Sequence, residues 1–312
     1  MAKKYLDPKA DLTFKRVFGE HKELLISFLN ALLPLPEGKE IIDIQYRSPE
    51  LVPISPDKKD TIVDVRCEDN DHRHFIVEMQ MYWTNAFIKR ALLNTCKAYS
   101  YPAGKGMLYD ALKPVYTLSL VNDIAFPQLK DFYHVYQLRH AKAQGYTIDD
   151  IQMVFIELPK FTPTSTADKR LRCLWLRFLT EINEHTQAPD PELLADKNVS
   201  KAIELVEESA YNEEELYTID KYWDAVSRER TVMAEKYGLG LAKGRAEGRA
   251  EGRAEGLAEG RAEGLAEGRA EGLAKGRAEG ILLTAKNLKS MGLATADILR
   301  ATGLTEQEIE AL

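Results

Sequence analysis

From residue 240 to residue 280 a glycine stands at every fourth position of this 312-residue chain, eleven in all, in the unit G-[R/L]-A-[E/K]. Each glycine costs a helix interior roughly 0.8–1 kcal/mol relative to alanine, so eleven cost on the order of 10 kcal/mol in isolation. Glu247, Glu251 and Glu255, and likewise Arg245, Arg249 and Arg253, recur at i, i+4, where like charges repel. A lone helix here is unstable. The segment is either a flexible tether or a helix packed backbone to backbone against another, which G-x-x-x-G spacing permits. A period of four overshoots 3.6, so the glycine row drifts about 40° per repeat and a long partnered helix needs a right-handed wrap. We read it as a helix that self-associates, making the chain a homo-oligomer. A low-complexity linker is the alternative, and collagen is excluded because it needs glycine at every third position.

The repeat divides the chain. Residues 1–160 mix helix and strand patterns, 161–238 read as helical, 239–280 are the repeat, and 281–312 form a short tail. The tail reads as three short helices with turns at Met291-Gly292 and Thr302-Gly303 and a capping box from Thr305 to Glu308. Its charges, three basic against four acidic, sum to −1, which favours a protein-interaction bundle over a DNA-binding helix-turn-helix. The whole chain carries −7, so no broad nucleic-acid-binding surface is advertised, although a local basic groove on an acidic body remains open. Cys67, Cys96 and Cys173 are odd in number and far apart, which argues against disulfides and zinc and for a cytoplasmic protein. The first residues lack the apolar core of a signal peptide, and no stretch approaches the roughly 20 apolar residues of a membrane span.

Within the first 160 residues, helical spacing predicts a helix over 11–33, ended by Pro34 and Pro36. Residues 41–54, interrupted by Pro49 and Pro53, read as a weak edge strand. Residues 61–67 and 75–81 are strand-like runs joined by a polar turn; 85–101 is helical, closed by Pro102 and Gly104; 114–121 and 151–158 are further strands. This order predicts an α/β fold, a mixed central sheet with helices on its faces.

Side chains alternate between the faces of a strand. In TIVDVRC, Val63, Val65 and Cys67 share one face, with Ile62, Asp64 and Arg66 opposite. In FIVEMQM, Glu78 and Gln80 share a face with Ile76. A hairpin symmetric about residue 71 pairs Cys67 with Phe75 and sets Asp64 across from Glu78. Two opposed carboxylates need a shared proton or a cation. Mg²⁺ is bound through one or two carboxylates plus waters and phosphate oxygens, and the Met79 carbonyl could complete the protein's share. The bland alternative is a solvated acidic hairpin; against it, Ile62 and Ile76 beside the acids predict a covered face. His72 and His74, in the polar turn, are read as solvated and stay outside the site.

The D…E-x-Q spacing of Asp64, Glu78 and Gln80 resembles the PD-(D/E)xK nuclease signature, with Gln in place of Lys. More narrowly, DPKADLTFKRVFG from Asp7, TIVDVRCEDNDHRHFIVEMQ from Thr61 and RALLNTCKAYS from Arg90 resemble the Rpn family of recombination-promoting nucleases and transposases, over roughly residues 5–280. That resemblance implies a restriction-endonuclease-like core over 1–160 with a helical extension over 161–238. It implies a Mg²⁺- or Mn²⁺-dependent endonuclease that hydrolyses DNA phosphodiester bonds, promotes recombination, and accompanies mobile elements or defence against foreign DNA. Carried over by position, Asp64 and Glu78 become the metal ligands and Gln80 takes the lysine's place. Lys89 and Arg90 are candidates to supply the missing charge, and Asp11 with Lys15 stand as auxiliary groups; an exposed basic helix face and a helix-terminal acid are their plainer readings. Two other functions compete: a decayed nuclease-fold DNA-binding or regulatory protein, and an assembly protein that scaffolds partners through the repeat and tail.

Overall fold

A computed structural model describes residues 3–51, 61–101, 108–143, 145–163 and 170–312. The chain packs as two units, Met1–Thr231 and Val232–Leu312. In the first, α1 (Asp11–Gly19) and α2 (Lys22–Leu32) precede β1 (Ile44–Tyr46), β2 (Glu50–Leu51), β3 (Thr61–Ile62), β4 (Val65–Asp69) and β5 (His74–Gln80). Then come α3 (Asn85–Ser100), β6 (Val115–Val121), β7 (Tyr133–Arg139), β8 (Thr147–Glu157), α4 (Arg170–Glu181), α5 (Pro191–Ala195) and α6 (Lys197–Leu205), and α7 (Glu213–Ser290) begins.

Six strands form a mixed sheet in the order β1-β4-β5-β6-β8-β7, and β2 pairs with β3 apart from it. The central strands β5, β6 and β8 run parallel, while β1, β4 and β7 are antiparallel to their neighbours. Residues of α1, α2, α4 and α6 form one core with Val65, Cys67, Phe75 and Val77. On the other face Phe87 and Ala91 of α3 pack on Phe155, and Ala98 packs on Ile76 and Val115. Coverage of both faces explains why all seven residues of VYTLSLV in β6 are buried, as expected of a central parallel strand.

Phe18, in the FKRVFG segment, is clamped between distant elements. Its ring lies 4.3 Å from that of Phe28 and 5.5 Å from that of Trp175, which also contacts Phe178 at 5.8 Å. Trp175 is fully buried and its indole N–H donates to the Ser27 hydroxyl at 3.1 Å. Helices α4, α5 and α6 therefore share the core of the sheet.

Several expectations need correction. The helix over 11–33 is two helices, because Gly19 ends α1 and His21 is extended at φ −116°, ψ 94°. The run 61–67 is not one strand: it bends at Asp64 between β3 and β4. The bend resets the alternation, so Val63 packs with Ile76 on the α3 face, away from Val65 and Cys67. Ile62 is 67% exposed and covers nothing, whereas Ile76 is buried as expected. Strand β7, which the sequence reading passed over, is a sheet edge with mostly exposed side chains. Among the described residues of the 41–54 segment only short β1, at the opposite edge, and β2 form; Pro53 and Ile54 lie outside the described residues, as do Pro102 and Gly104.

In the second unit α7 carries the glycine repeat as exposed helix, and α8 (Thr295–Thr302) and α9 (Glu306–Glu310) pack Ile298 and Ile309 on Ala285. Gly292 and Gly303 hold the turns at φ 82° and 72°, and Thr305 with Glu308 forms the capping box. Among the described residues no helix is long and apolar enough to cross a membrane. Trp175→Ala is expected to cost about 3–5 kcal/mol of folding stability, through a cavity and a lost hydrogen bond; chemical denaturation yielding under 1 kcal/mol would contradict this account of the core.

Candidate active site

The strand ladder places the two acids. β4 pairs with β5 in the register Val65↔Val77 and Cys67↔Phe75. One residue beyond the end of that ladder, the Asp64 carboxylate takes the place of a backbone acceptor: its Oδ2 accepts the Met79 amide at 2.6 Å. Asp64 is thereby fixed beside Glu78. Since the N–H and C=O of one strand residue point the same way, the Met79 carbonyl also faces the Asp64 side.

Glu78 is 4% exposed and points toward α3, where Asn94 Nδ2 donates to its Oε1 at 2.9 Å. Among the described residues the other oxygen, Oε2, is buried without a hydrogen-bond partner, as are Asn94 Oδ1 and the hydroxyl of Ser119, which lies across the ladder from Glu78. Three orphaned oxygens in one neighbourhood are costly to bury. Gln80 shares the α3 face. Its Nε2 donates to the Tyr82 carbonyl at 2.8 Å, and its Oε1 accepts from Arg90 Nη2 at 2.6 Å. The Arg90 guanidinium also stacks 4.9 Å from the Phe87 ring.

Burial sets the electrostatics. It pushes Asp64 up to about 6, against the Met79 amide that favours its charged form; Asp11 raises it further, and Lys15 and Arg90 oppose. Burial likewise pushes Glu78 up to about 7, aided by the Asp64 charge and opposed by Arg90 and the Asn94 hydrogen bond. Two buried carboxylates pushed toward neutrality are the pattern expected of functional acids.

Of the residues singled out from the sequence, Asp64, Glu78, Gln80 and Arg90 are brought together. Asp11 and Lys15 pair with each other at 2.8 Å and act on Asp64 with opposite signs. Lys89 is exposed on α3 and, among the described residues, makes no hydrogen bond or ion pair. His72 and His74 gather around Glu68. Sequence reasoning missed Asn94, although it lies one helical turn from Arg90 and so shares its face. It also missed Tyr222 of α7, whose hydroxyl donates to the Lys9 carbonyl at 3.4 Å and is held neutral by burial and by the charges of Asp64 and Asp11; no pattern in 161–238 marked it. A roomier cleft of about 600 Å³, lined by residues between 181 and 190, holds neither Asp64 nor Glu78.

A profile of the PD-(D/E)XK nuclease family transposases matches residues 8–234. The chain belongs to this family. No curated protein and no solved structure gives a significant match. The family match covers the sheet and helices from α1 into α7 and stops before the glycine repeat, so the resemblance extends less far than the 5–280 read from the sequence.

Nucleases of this family generally use divalent metal ions. The donor set suits a hard cation: two carboxylates, one with an unpartnered buried oxygen, and the Met79 carbonyl on the Asp64 side of the strand. Among the described residues no group of three or more His, Cys, Asp or Glu side chains gathers as a metal cluster, so a cation here would draw its remaining ligands from a carbonyl, water and substrate.

The acids' titration gives a sign that can be tested without metal. Both have folded values above the ordinary 3.8 and 4.5, so the folded state favours their protonated forms. That contribution is complete below about pH 4 and is lost as pH rises through 6–7. In EDTA, Glu78→Gln should lie within about 1 kcal/mol of the wild type at pH 5 and exceed it at pH 8 by up to about 3 kcal/mol. Equal stability differences at the two pH values would show that Glu78 is not held protonated.

Proposed function

We propose that the protein is a metal-dependent DNA endonuclease of recombination-promoting type, with Asp64 and Glu78 as ligands of Mg²⁺ or Mn²⁺. The observation that carries this reading is the Glu78 carboxyl: buried, pushed to about 7 beside Asp64, and with one oxygen left without a partner. A bound divalent ion supplies neutralisation of phosphate charge and a lowered pKa for attacking water.

The chain's own residues prepare that chemistry. The Met79 amide orients Asp64, and Asn94 holds Oε1 of Glu78 so that Oε2 is the oxygen left to coordinate. Gln80 fixes the Arg90 guanidinium within electrostatic reach of both acids, and Arg90 provides the positive charge that a lysine would otherwise bring to the phosphate. Asp11 and Lys15 tune Asp64 from α1. The substrate is DNA, and transposition or defence against foreign DNA is the setting we infer from the family. In the same reading the chain works in the cytoplasm.

One observation favours a second reading, a decayed nuclease that binds DNA without cutting it: both ends of the Gln80 carboxamide are already engaged. A single experiment separates them. Supercoiled plasmid should be nicked or linearised in Mg²⁺ or Mn²⁺, not in EDTA, and Asp64→Ala or Glu78→Ala should lower the rate by at least about 100-fold, the scale on which loss of one charge-stabilising group acts. Wild-type binding without cleavage under either metal supports the decayed reading, and cleavage retained by both variants removes this site.

Self-association through the repeat and tail belongs to the same proposal. A side chain at any repeat glycine would meet open space within the chain, so the glycines are not needed for packing in it. Light scattering should report a mass above that of one chain at micromolar concentration; a monomer throughout would refute the oligomer.

A further inference from the structure

Arg66 lies two residues past Asp64, inside β4 and only 6% exposed. Its Nε is buried without a hydrogen-bond partner, and among the described residues it forms no ion pair. The centroid of the Tyr101 ring lies 5.3 Å from its guanidinium carbon. The carboxylate that might neutralise it, Glu68, is already taken. Arg47 binds Glu68 Oε2 through Nε and Nη2, both at 3.0 Å, and His72 Nδ1 binds Oε1. The nearby Asp69 carboxylate is likewise committed, to Arg73 at 2.6 Å.

A buried guanidinium left without an anion is expensive. The excess sits on a cleft of about 420 Å³, lined among others by Lys15, Glu20, Arg47, Asp64 and Arg66. Lys15 and Arg47 are partly exposed cations on its wall, and Glu20 is an exposed acid at the same wall. The cleft thus joins Asp64 to three cations, one of them buried and, among the described residues, without an ion pair.

We propose that this cleft is a phosphate subsite, in which Arg66 binds the DNA backbone phosphate neighbouring the one presented to Asp64 and Glu78, with Lys15 and Arg47 closing around it. The proposal rests on the reading of DNA as the substrate. A guanidinium offers a fork of donors that matches two phosphate oxygens, and a phosphate brings the negative charge that Glu68 does not have to spare. The subsite sets the path of the strand past the acids, and it explains how a chain of net charge −7 gains a local hold on a polyanion.

Binding is measured in EDTA, by fluorescence polarisation of a short fluorescein-labelled DNA duplex across a salt series, so that neither metal nor cleavage enters. Arg66→Gln should weaken binding about tenfold and reduce the slope of log affinity against log salt by about 1, the signature of one lost phosphate contact. Lys15→Gln, at a half-exposed position that does not endanger folding, should move both quantities in the same direction by less. Arg66→Lys should restore the slope but not the full affinity, because the charge returns without the fork. If the wild type binds DNA while Arg66→Gln keeps wild-type affinity and slope, the subsite is wrong and the nuclease reading stands. If the wild type fails to bind duplex or single-stranded DNA, both fall. Should Arg66→Gln not fold by circular dichroism, an unchanged slope in Lys15→Gln overturns the subsite.

Discussion

The hydrogen bond from the Met79 amide to the Asp64 carboxylate determines the geometry of everything near it. A strand amide in that position ordinarily finds a carbonyl on the neighbouring strand. Here the ladder between β4 and β5 stops at Val65↔Val77, and a side chain completes it. A carboxylate spent this way is short, charge-assisted and fixed in direction. The backbone at Asp64 must bend to deliver it, which separates β3 from β4 and turns Val63 onto the opposite face. The same bend brings Asp64 beside Glu78 on the next strand, so one local substitution of side chain for main chain creates the acidic pair.

Holding that pair requires a rigid, dry scaffold. β5 is flanked on both sides in the sheet and covered on both faces, and Glu78 is sealed under α3. The covering on the far face draws on residues distant in sequence: Phe18 of α1 contacts Phe14, Phe28 and Trp175, all in one apolar cluster with the sheet. Stability stored in this apolar core offsets the cost of two carboxylates held near neutrality and of three orphaned oxygens beside them. Favourable packing thus sits far from the site, and unfavourable electrostatics sit in it.

What the sequence disclosed follows the same division. Period-two alternation put Glu78 and Gln80 on one face, and a turn centred on Asp71 gave the pairing of Cys67 with Phe75 that the ladder shows. Both are local properties of extended chain. The bend at Asp64 was hidden because alternation cannot reveal a side chain that replaces a ladder carbonyl, and the exposure of Ile62 follows from that bend. The break at Gly19 was masked by apolar residues that continue at helical spacing on both sides of it. Edge strand β7 has too few buried positions to leave an apolar run. Asn94 bonds Glu78 and Tyr222 lies within electrostatic reach of Asp64, both from helices whose docking depends on the whole core, and no spacing rule encodes that.

The glutamine in the position of the lysine becomes intelligible from the charges around it. A lysine ammonium beside two acids that titrate between about 6 and 7 would itself shift readily with burial. A guanidinium does not lose its proton in proteins. By accepting from Arg90 Nη2, Gln80 fixes a permanent charge that enters from α3, stacked on Phe87, without placing an ionisable group on the strand. The protonation of the site then resides in Asp64 and Glu78 alone, with the cation constant across the pH range in which they change. Separating the constant charge from the titrating ones is a physical reason for an E-x-Q strand to be paired with an arginine ten residues farther along the chain.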